Sequence, residues 1–169
     1  ILSMQCDIWH PCQGLADLMT IQEKFSNKTE NLNVTISWAY APSYMKPLSV
    51  PQSQIALFPR YGMNVTLAHP PEFELMPEVI ELAKRNAEAA GVNFKITNNM
   101  DEAFENADVV VPKSWGSQLL TADPEESLKL SQKYTSWICN EERMKLTKPN
   151  SIYMHALPAD RGNEVVDAV

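Results

Sequence analysis

Strand-like and helix-like hydrophobic patterns alternate along the whole chain. That alternation limits the fold more than any other feature, because strand–helix–strand repeats pack as helices against a mostly parallel sheet. Residues 32–40 alternate, with Val34, Ile36 and Trp38 on one side, and residues 63–68, 92–97, 107–111 and 151–155 supply four further strands. A helix is predicted over 11–26, with Pro11 in its first turn and Leu15, Leu18, Met19, Ile21 and Phe25 as its apolar stripe. Another is predicted over 51–61, started by Pro51 and stopped by Gly62. A third begins near Pro77 and ends at Gly91, with Val79, Ala83, Ala87 and Ala90 on one stripe and Glu81 four residues before Arg85. Shorter helices are predicted over 101–106, 124–134 and 141–146, whereas Pro42, Pro47 and Pro51 argue against any regular element before residue 51. The expected architecture is α/β: a doubly wound, mostly parallel five-stranded sheet with helices on both faces. In such Rossmann-like sheets, ligands bind beyond the carboxyl ends of the strands.

Composition removes several function classes. The 169 residues, 44% hydrophobic and 21% charged, suffice for one domain with its own core. A net charge of −7, without a basic stripe, argues against binding a nucleic-acid backbone. No apolar run approaches the roughly 20 residues of a membrane-spanning helix, and the first residues lack the layout of a signal peptide. Cys6, Cys12 and Cys139 form no C-x-x-C pair and are odd in number, so reduced thiols in a cytoplasmic protein are expected. On that reading the sequons at Asn27, Asn33 and Asn64 are coincidental. The five glycines stand singly, so no dinucleotide fingerprint is present, and neither a phosphate-binding loop nor a zinc-type cluster appears; no cofactor and no metal are expected.

Polar and aromatic residues gather at four predicted strand ends, 38–44, 69–71, 113–115 and 155–158. His10-Pro11-Cys12-Gln13, followed by GLADLMTIQEKF, resembles the HPxQ motif and helix of the aspartate, ornithine and acetylornithine carbamoyltransferases. His155-Ala156-Leu157-Pro158 resembles their H-x-L-P loop, and ADVVVPKSWG resembles the segment carrying part of the amino-acid site. Each motif alone is weak; the three together, in order, span nearly the whole chain.

The resemblance implies transfer of a carbamoyl group from carbamoyl phosphate to the amine of an amino acid or related small acid. Charge develops on the carbamoyl oxygen, which calls for waiting donors. His10 is the implied donor and Gln13 the acceptor for the carbamoyl NH₂; on spacing alone, a helix-capping histidine and a solvated glutamine explain them equally well. In the loop, Leu157 would offer its backbone carbonyl, with a cis bond to Pro158. His155 can also be read as a strand-end histidine satisfied by backbone. Lys113, Ser114, Trp115 and Ala156 are the implied amino-acid contacts.

Two positions depart from the ornithine type. Ala156 stands where a cysteine is usual, and Lys113 where an aspartate meets the substrate. Lys113 would favour a carboxylate or acyl oxygen over an ammonium, unless it only snorkels to solvent. The K-S-W order and the proline-spaced stretch WAYAPSYMKPLSVPQ resemble the knotted branch, the acetylornithine and succinylornithine enzymes and their substrate-unassigned relatives. There a proline-rich loop, here 41–52, is the ring through which later chain passes; an ordinary surface loop is the plainer alternative.

The family's phosphate clamp, S-x-R-T-R, has no counterpart, since the arginines are Arg60, Arg85, Arg143 and Arg161 only. Residues 1–169 are therefore expected to be the amino-acid-binding domain, without the carbamoyl-phosphate domain or the closing C-terminal helix, and inactive alone. The intact enzyme is expected to be a homotrimer, whereas this piece could be monomeric. The alternative is a catalytically silent paralogue that binds an amino-acid-like ligand or acts as a scaffold, an idea motivated by Ala156 and the missing clamp.

Overall fold

The computed structural model describes residues 3–42 and 46–169, and five parallel strands form one sheet in the order β3-β2-β1-β4-β5. The strands are β1 (Asn33–Trp38), β2 (Asn64–Ala68), β3 (Phe94–Thr97), β4 (Val109–Lys113) and β5 (Ile152–Tyr153). Strands covered on both faces need apolar residues almost throughout, and β1 is buried from Val34 to Trp38 and β4 from Val109 to Pro112. Pro112 is tolerated inside the sheet because β5 pairs only with Val109 and Val110, so no strand lies where the missing N–H would point. Asp108 interrupts the predicted run 107–111 and delays the strand: its carboxylate accepts from Asn33 N at 2.8 Å and from Lys148 Nζ at 2.7 Å.

The helices are α1 (Pro11–Lys24), α2 (Ser49–Leu57), α3 (Pro77–Ala90), α4 (Met100–Phe104), α5 (Pro124–Ser131) and α6 (Glu141–Met144). Right-handed crossovers from β1 to β2 to β3 carry α2 and α3 over one face, where they pack together and α1 lies on α2. The return from β3 to β4 carries α4 to the other face, against α6. Helices thus cover both faces of a doubly wound sheet, as the sequence predicts.

Several local expectations need correction. α2 begins at Ser49, before Pro51, because the first turn has no intrahelical use for its N–H groups and Pro51 gives up nothing there. The helix then tightens into a 3₁₀ turn, Phe58–Tyr61, which Gly62 closes in the left-handed conformation (φ 78°). On α1 the buried stripe is Gly14, Asp17, Leu18 and Ile21, while Leu15 and Met19 are exposed. On α3, Ala90 is exposed, and Glu81 pairs with Lys84 at 2.7 Å three residues on, not with Arg85. The proline-spaced segment 41–52 is regular from Ser49, and its residues 43–45 lie outside the described residues, as therefore does part of the expected ring.

The strand starts are tied by asparagines. Asn64 Nδ2 donates to Asn33 Oδ1 at 3.1 Å, Asn93 N donates to Asn64 Oδ1 at 3.0 Å, and Asn33 Nδ2 reaches Asn106 O. Two of the three sequon side chains are therefore engaged in the fold. At the opposite edge the core is aromatic: Trp38 lies 4.5 Å from Phe73 and meets Tyr134 and Trp137 edge-on. Its indole N–H donates to Trp115 O at 2.9 Å, and that of Trp115 to Phe73 O at 2.8 Å, so the buried rings leave no donor unpaired. This cluster is the floor on which the carboxyl edge stands.

Candidate active site

The chain reverses its direction across the sheet between β1 and β4, and such a reversal opens a crevice beyond the strand ends. Trp38 and Lys113 are register partners there, and Ala39 N donates to Lys113 O at 3.2 Å. Among the described residues no cluster of His, Cys, Asp and Glu suits a metal, and no helix is long and apolar enough to cross a membrane. The thiols are free, Cys139 buried and Cys6 and Cys12 exposed.

His10 is the N-cap of α1. Its Nδ1 accepts from Gln13 N at 3.3 Å, which leaves the ring proton at Nε2, and its backbone N–H donates to Ser53 Oγ on α2 at 2.8 Å. Capping and ligand donation are therefore compatible roles, carried by different ring nitrogens. Gln13 Nε2 donates to Asp17 Oδ1 at 2.8 Å, so the amide carbonyl is the end left for a ligand. Asp17 is 5% exposed and also receives Gln54 Nε2 from α2 at 2.6 Å. Burial pushes the Asp17 carboxyl up, and the two amides, with the charges of His10 and His155, act against that. His10 and His155, 145 positions apart in sequence, thus lie within electrostatic reach of one carboxylate.

A second carboxylate organises the other side. Glu164 is fully buried; Oε1 accepts from Ser114 N at 2.5 Å, and Oε2 accepts from Asp160 N at 2.8 Å and Lys46 Nζ at 3.0 Å. Lys46 is itself buried and reaches Asp160 Oδ2 at 3.2 Å. His155 Nε2 stands 3.2 Å from Glu164 Oε2, close enough for an ion pair though outside good hydrogen-bond geometry, while its Nδ1 faces Ala156 O at 2.8 Å. Both ring nitrogens face acceptors, the setting of a ring with two protons. Burial alone would raise the Glu164 carboxyl, but the His155 contact and the Asp160 and Ser114 N–H groups outweigh it and hold it down at about 2.

Lys113 is half-buried at this edge, and its ammonium makes no hydrogen bond or ion pair among the described residues. Burial lowers it; Glu164 raises it, Lys46 lowers it and Asp160 raises it. The Leu157–Pro158 peptide is cis, and the Leu157 side chain is 83% exposed. Ala156 is buried, so its methyl group faces the protein; Ser114 reaches the site through its backbone N–H; and the Trp115 ring is enclosed in the aromatic floor. The structure therefore does not bring the side chains of Ser114, Trp115 and Ala156 to the open edge, contrary to a side-chain contact role. His10, Gln13 and His155 gather at Asp17, and Lys113 joins them through Glu164 rather than by direct contact. Asp17, Gln54, Lys46 and Glu164 are the residues that motif reading missed. Asp17 had a signal, being four residues after Gln13 on one helix face; Lys46 and Glu164 had none, because their partners are remote in sequence.

A family model described as aspartate/ornithine carbamoyltransferase, Asp/Orn binding domain, matches residues 46–169. The protein of Escherichia coli (strain K12) named "Putative carbamoyltransferase YgeW" is 46% identical over 95% of this chain and 45% of its own length. The N-acetylornithine carbamoyltransferase of Xylella fastidiosa (strain Temecula1) is 34% identical over 96% of this chain and 48% of its own. A crystal structure of acetylornithine transcarbamylase complexed with acetylcitrulline superposes with a TM-score of 0.90 at 30% identity, over 98% of this chain and 49% of that one. The chain spans about half the length of the curated relatives it matches.

Proposed function

The chain belongs to the aspartate/ornithine carbamoyltransferase family, and on that basis we propose that residues 1–169 form the amino-acid-binding domain of an enzyme that moves a carbamoyl group from carbamoyl phosphate to the amine of an amino acid or related small acid. The observation that carries this reading is the polarity of the His10–Gln13 pair: Nδ1 of His10 and the NH₂ of Gln13 are engaged within the protein, which leaves an N–H donor and a carbonyl acceptor. A carbamoyl group needs that combination, a donor for the oxygen that gains charge and an acceptor for its NH₂. As the amine attacks the carbonyl carbon, His10 Nε2–H stabilises the oxygen, Gln13 Oε1 and the Leu157 carbonyl hold the NH₂, and phosphate leaves.

Lys113 supports a second substrate that bears a carboxylate or acyl oxygen near the sheet edge. An unpaired, half-buried ammonium is costly unless a ligand completes it. A structure of a relative with carbamyl phosphate and N-succinyl-L-norvaline bound shows that such acylated acids fit this family's fold. The test is to incubate the full-length protein with carbamoyl phosphate and, separately, N-acetylornithine, N-succinylornithine, ornithine and aspartate, and to measure phosphate release and the ureido product. Turnover of an acylated amine is the expected result. Binding of an amine without turnover of any would instead favour a silent paralogue, and absence of both would sink the reading.

A further inference from the structure

We propose that Asp17 is a positioning residue that fixes the Gln13 amide with its carbonyl toward the ligand, and that Gln54 holds Asp17 in that task; this deepens, and rests on, the transferase reading above. Asp17 lies at the meeting of α1 and α2, where both of its oxygens accept amide N–H bonds, Oδ1 from Gln13 at 2.8 Å and Oδ2 from Gln54 at 2.6 Å. A carboxylate can only accept, so each glutamine has one permitted orientation, with NH₂ inward and carbonyl outward. Without that constraint a glutamine in a first helical turn would present either end. The reversed end would set an N–H donor against the carbamoyl NH₂, turning an attraction into a clash of donors.

Packing does not call for this residue. The site is 5% exposed, and burying a carboxylate there, with neutral amides as its hydrogen-bond partners, costs more than burying an apolar side chain of similar volume. Burial duly pushes the carboxyl up. What the carboxylate supplies that a leucine or asparagine cannot is a pair of acceptors facing two donors. Gln54, 1% exposed and on another helix, stops the carboxylate from turning away.

An exchange of functional groups separates positioning from mere helix bracing. In Asp17→Asn the single oxygen is contested, and the more deeply buried Gln54 competes for it, so Gln13 loses its tether. In Asp17→Asn/Gln54→Glu the charge is kept: the amide NH₂ introduced on α1 can donate to the carboxylate introduced on α2, and the oxygen of that amide is returned to Gln13. With the full-length protein, carbamoyl phosphate and N-acetylornithine or whichever amine of the panel turns over, D17N should lower kcat/KM for carbamoyl phosphate about 10- to 100-fold. The KM for the amine should stay within about twofold, and D17N/Q54E should return to within about threefold of wild type. Wild-type turnover by D17N would overturn the proposal, as would a D17N/Q54E protein that keeps the wild-type Tm yet turns over no faster than D17N. The tether has its own readout, in the side-chain amide protons of ¹⁵N-glutamine-labelled protein. One slowly exchanging Gln13 proton, lost in D17N and regained in the double variant, is expected. Fast exchange in the wild type would refute the tether, whereas a wild type that turns over no amine would refute the transferase reading while leaving this measurement to decide the tether.

Discussion

Lys113 concentrates the question of substrate choice in one side chain. Its ammonium lies near Glu164 and Asp160 yet pairs with neither, because Lys46 takes both. In a crevice of low dielectric, replacing this donor by an acceptor reverses the sign of the interaction with an acidic or acylated substrate. Lys113→Asp should therefore lower turnover of the preferred amine about 10- to 100-fold, the equivalent of roughly 1–3 kcal/mol for a charge-assisted hydrogen bond. It should also move the order of amines toward ornithine. An unchanged order in the same panel would make Lys113 a surface lysine. His10, Gln13, Lys113 and the H-x-L-P loop were legible because motif spacing marks them. Asp17 and Glu164 were not, because a buried acid looks like any surface acid until its donors are known, and those of Glu164 come from residues 46, 114, 155 and 160.

At the scale of elements, the join between α2 and β2 depends on one conformation. Gly62 closes the 3₁₀ turn at φ 78°, and an added Cβ would lie 3.1 Å from Glu30 Cγ and 3.3 Å from Glu30 Cα. Gly62→Ala should cost about 1–2 kcal/mol, from the left-handed backbone together with the tight contact. Urea unfolding would register the loss, whereas Gly91→Ala, where nothing lies within 4 Å, should cost less. The same region shows how far pattern reading reaches. Gly62 marked the end of the helix correctly, because only the left-handed residue was needed. The beginning was misplaced at Pro51, because a proline in a first turn looks like a boundary whether the helix starts there or two residues earlier. On α1 the period was right and the face was wrong: Leu15 and Met19 are exposed, and Gly14 and Asp17 go inward, where α2 approaches closely and Gln54 supplies a partner. Hydrophobicity could not reveal a buried face chosen by a polar pair.

Across the whole molecule, Glu164 ties together segments that the chain separates widely, the approach to α2, the end of β4 and the loop after β5. Its carboxyl, held at about 2 in the fold against an ordinary 4.5, contributes stability that is fully present above pH 4.5 and is lost as pH falls toward 2. That contribution is on the order of 3 kcal/mol. Glu164→Gln should therefore be less stable than the wild type at pH 7 by about 3–5 kcal/mol, as expected when one member of a buried ion pair is removed. The gap should close between pH 4.5 and pH 2, and urea melts of both proteins across that interval would show it; a gap independent of pH would mean that shape rather than charge does the tying. Two of the donors to Glu164 are main-chain N–H groups, those of Ser114 and Asp160. A bond from the main chain does not depend on which side chain the residue carries, so long as it is not proline. Residue 114 is thus open to mutation without loosening the hub, whereas Lys46 is not, and a laboratory or a lineage seeking a new amine substrate can vary the neighbourhood of Lys113 while the hub keeps the surrounding loops in place.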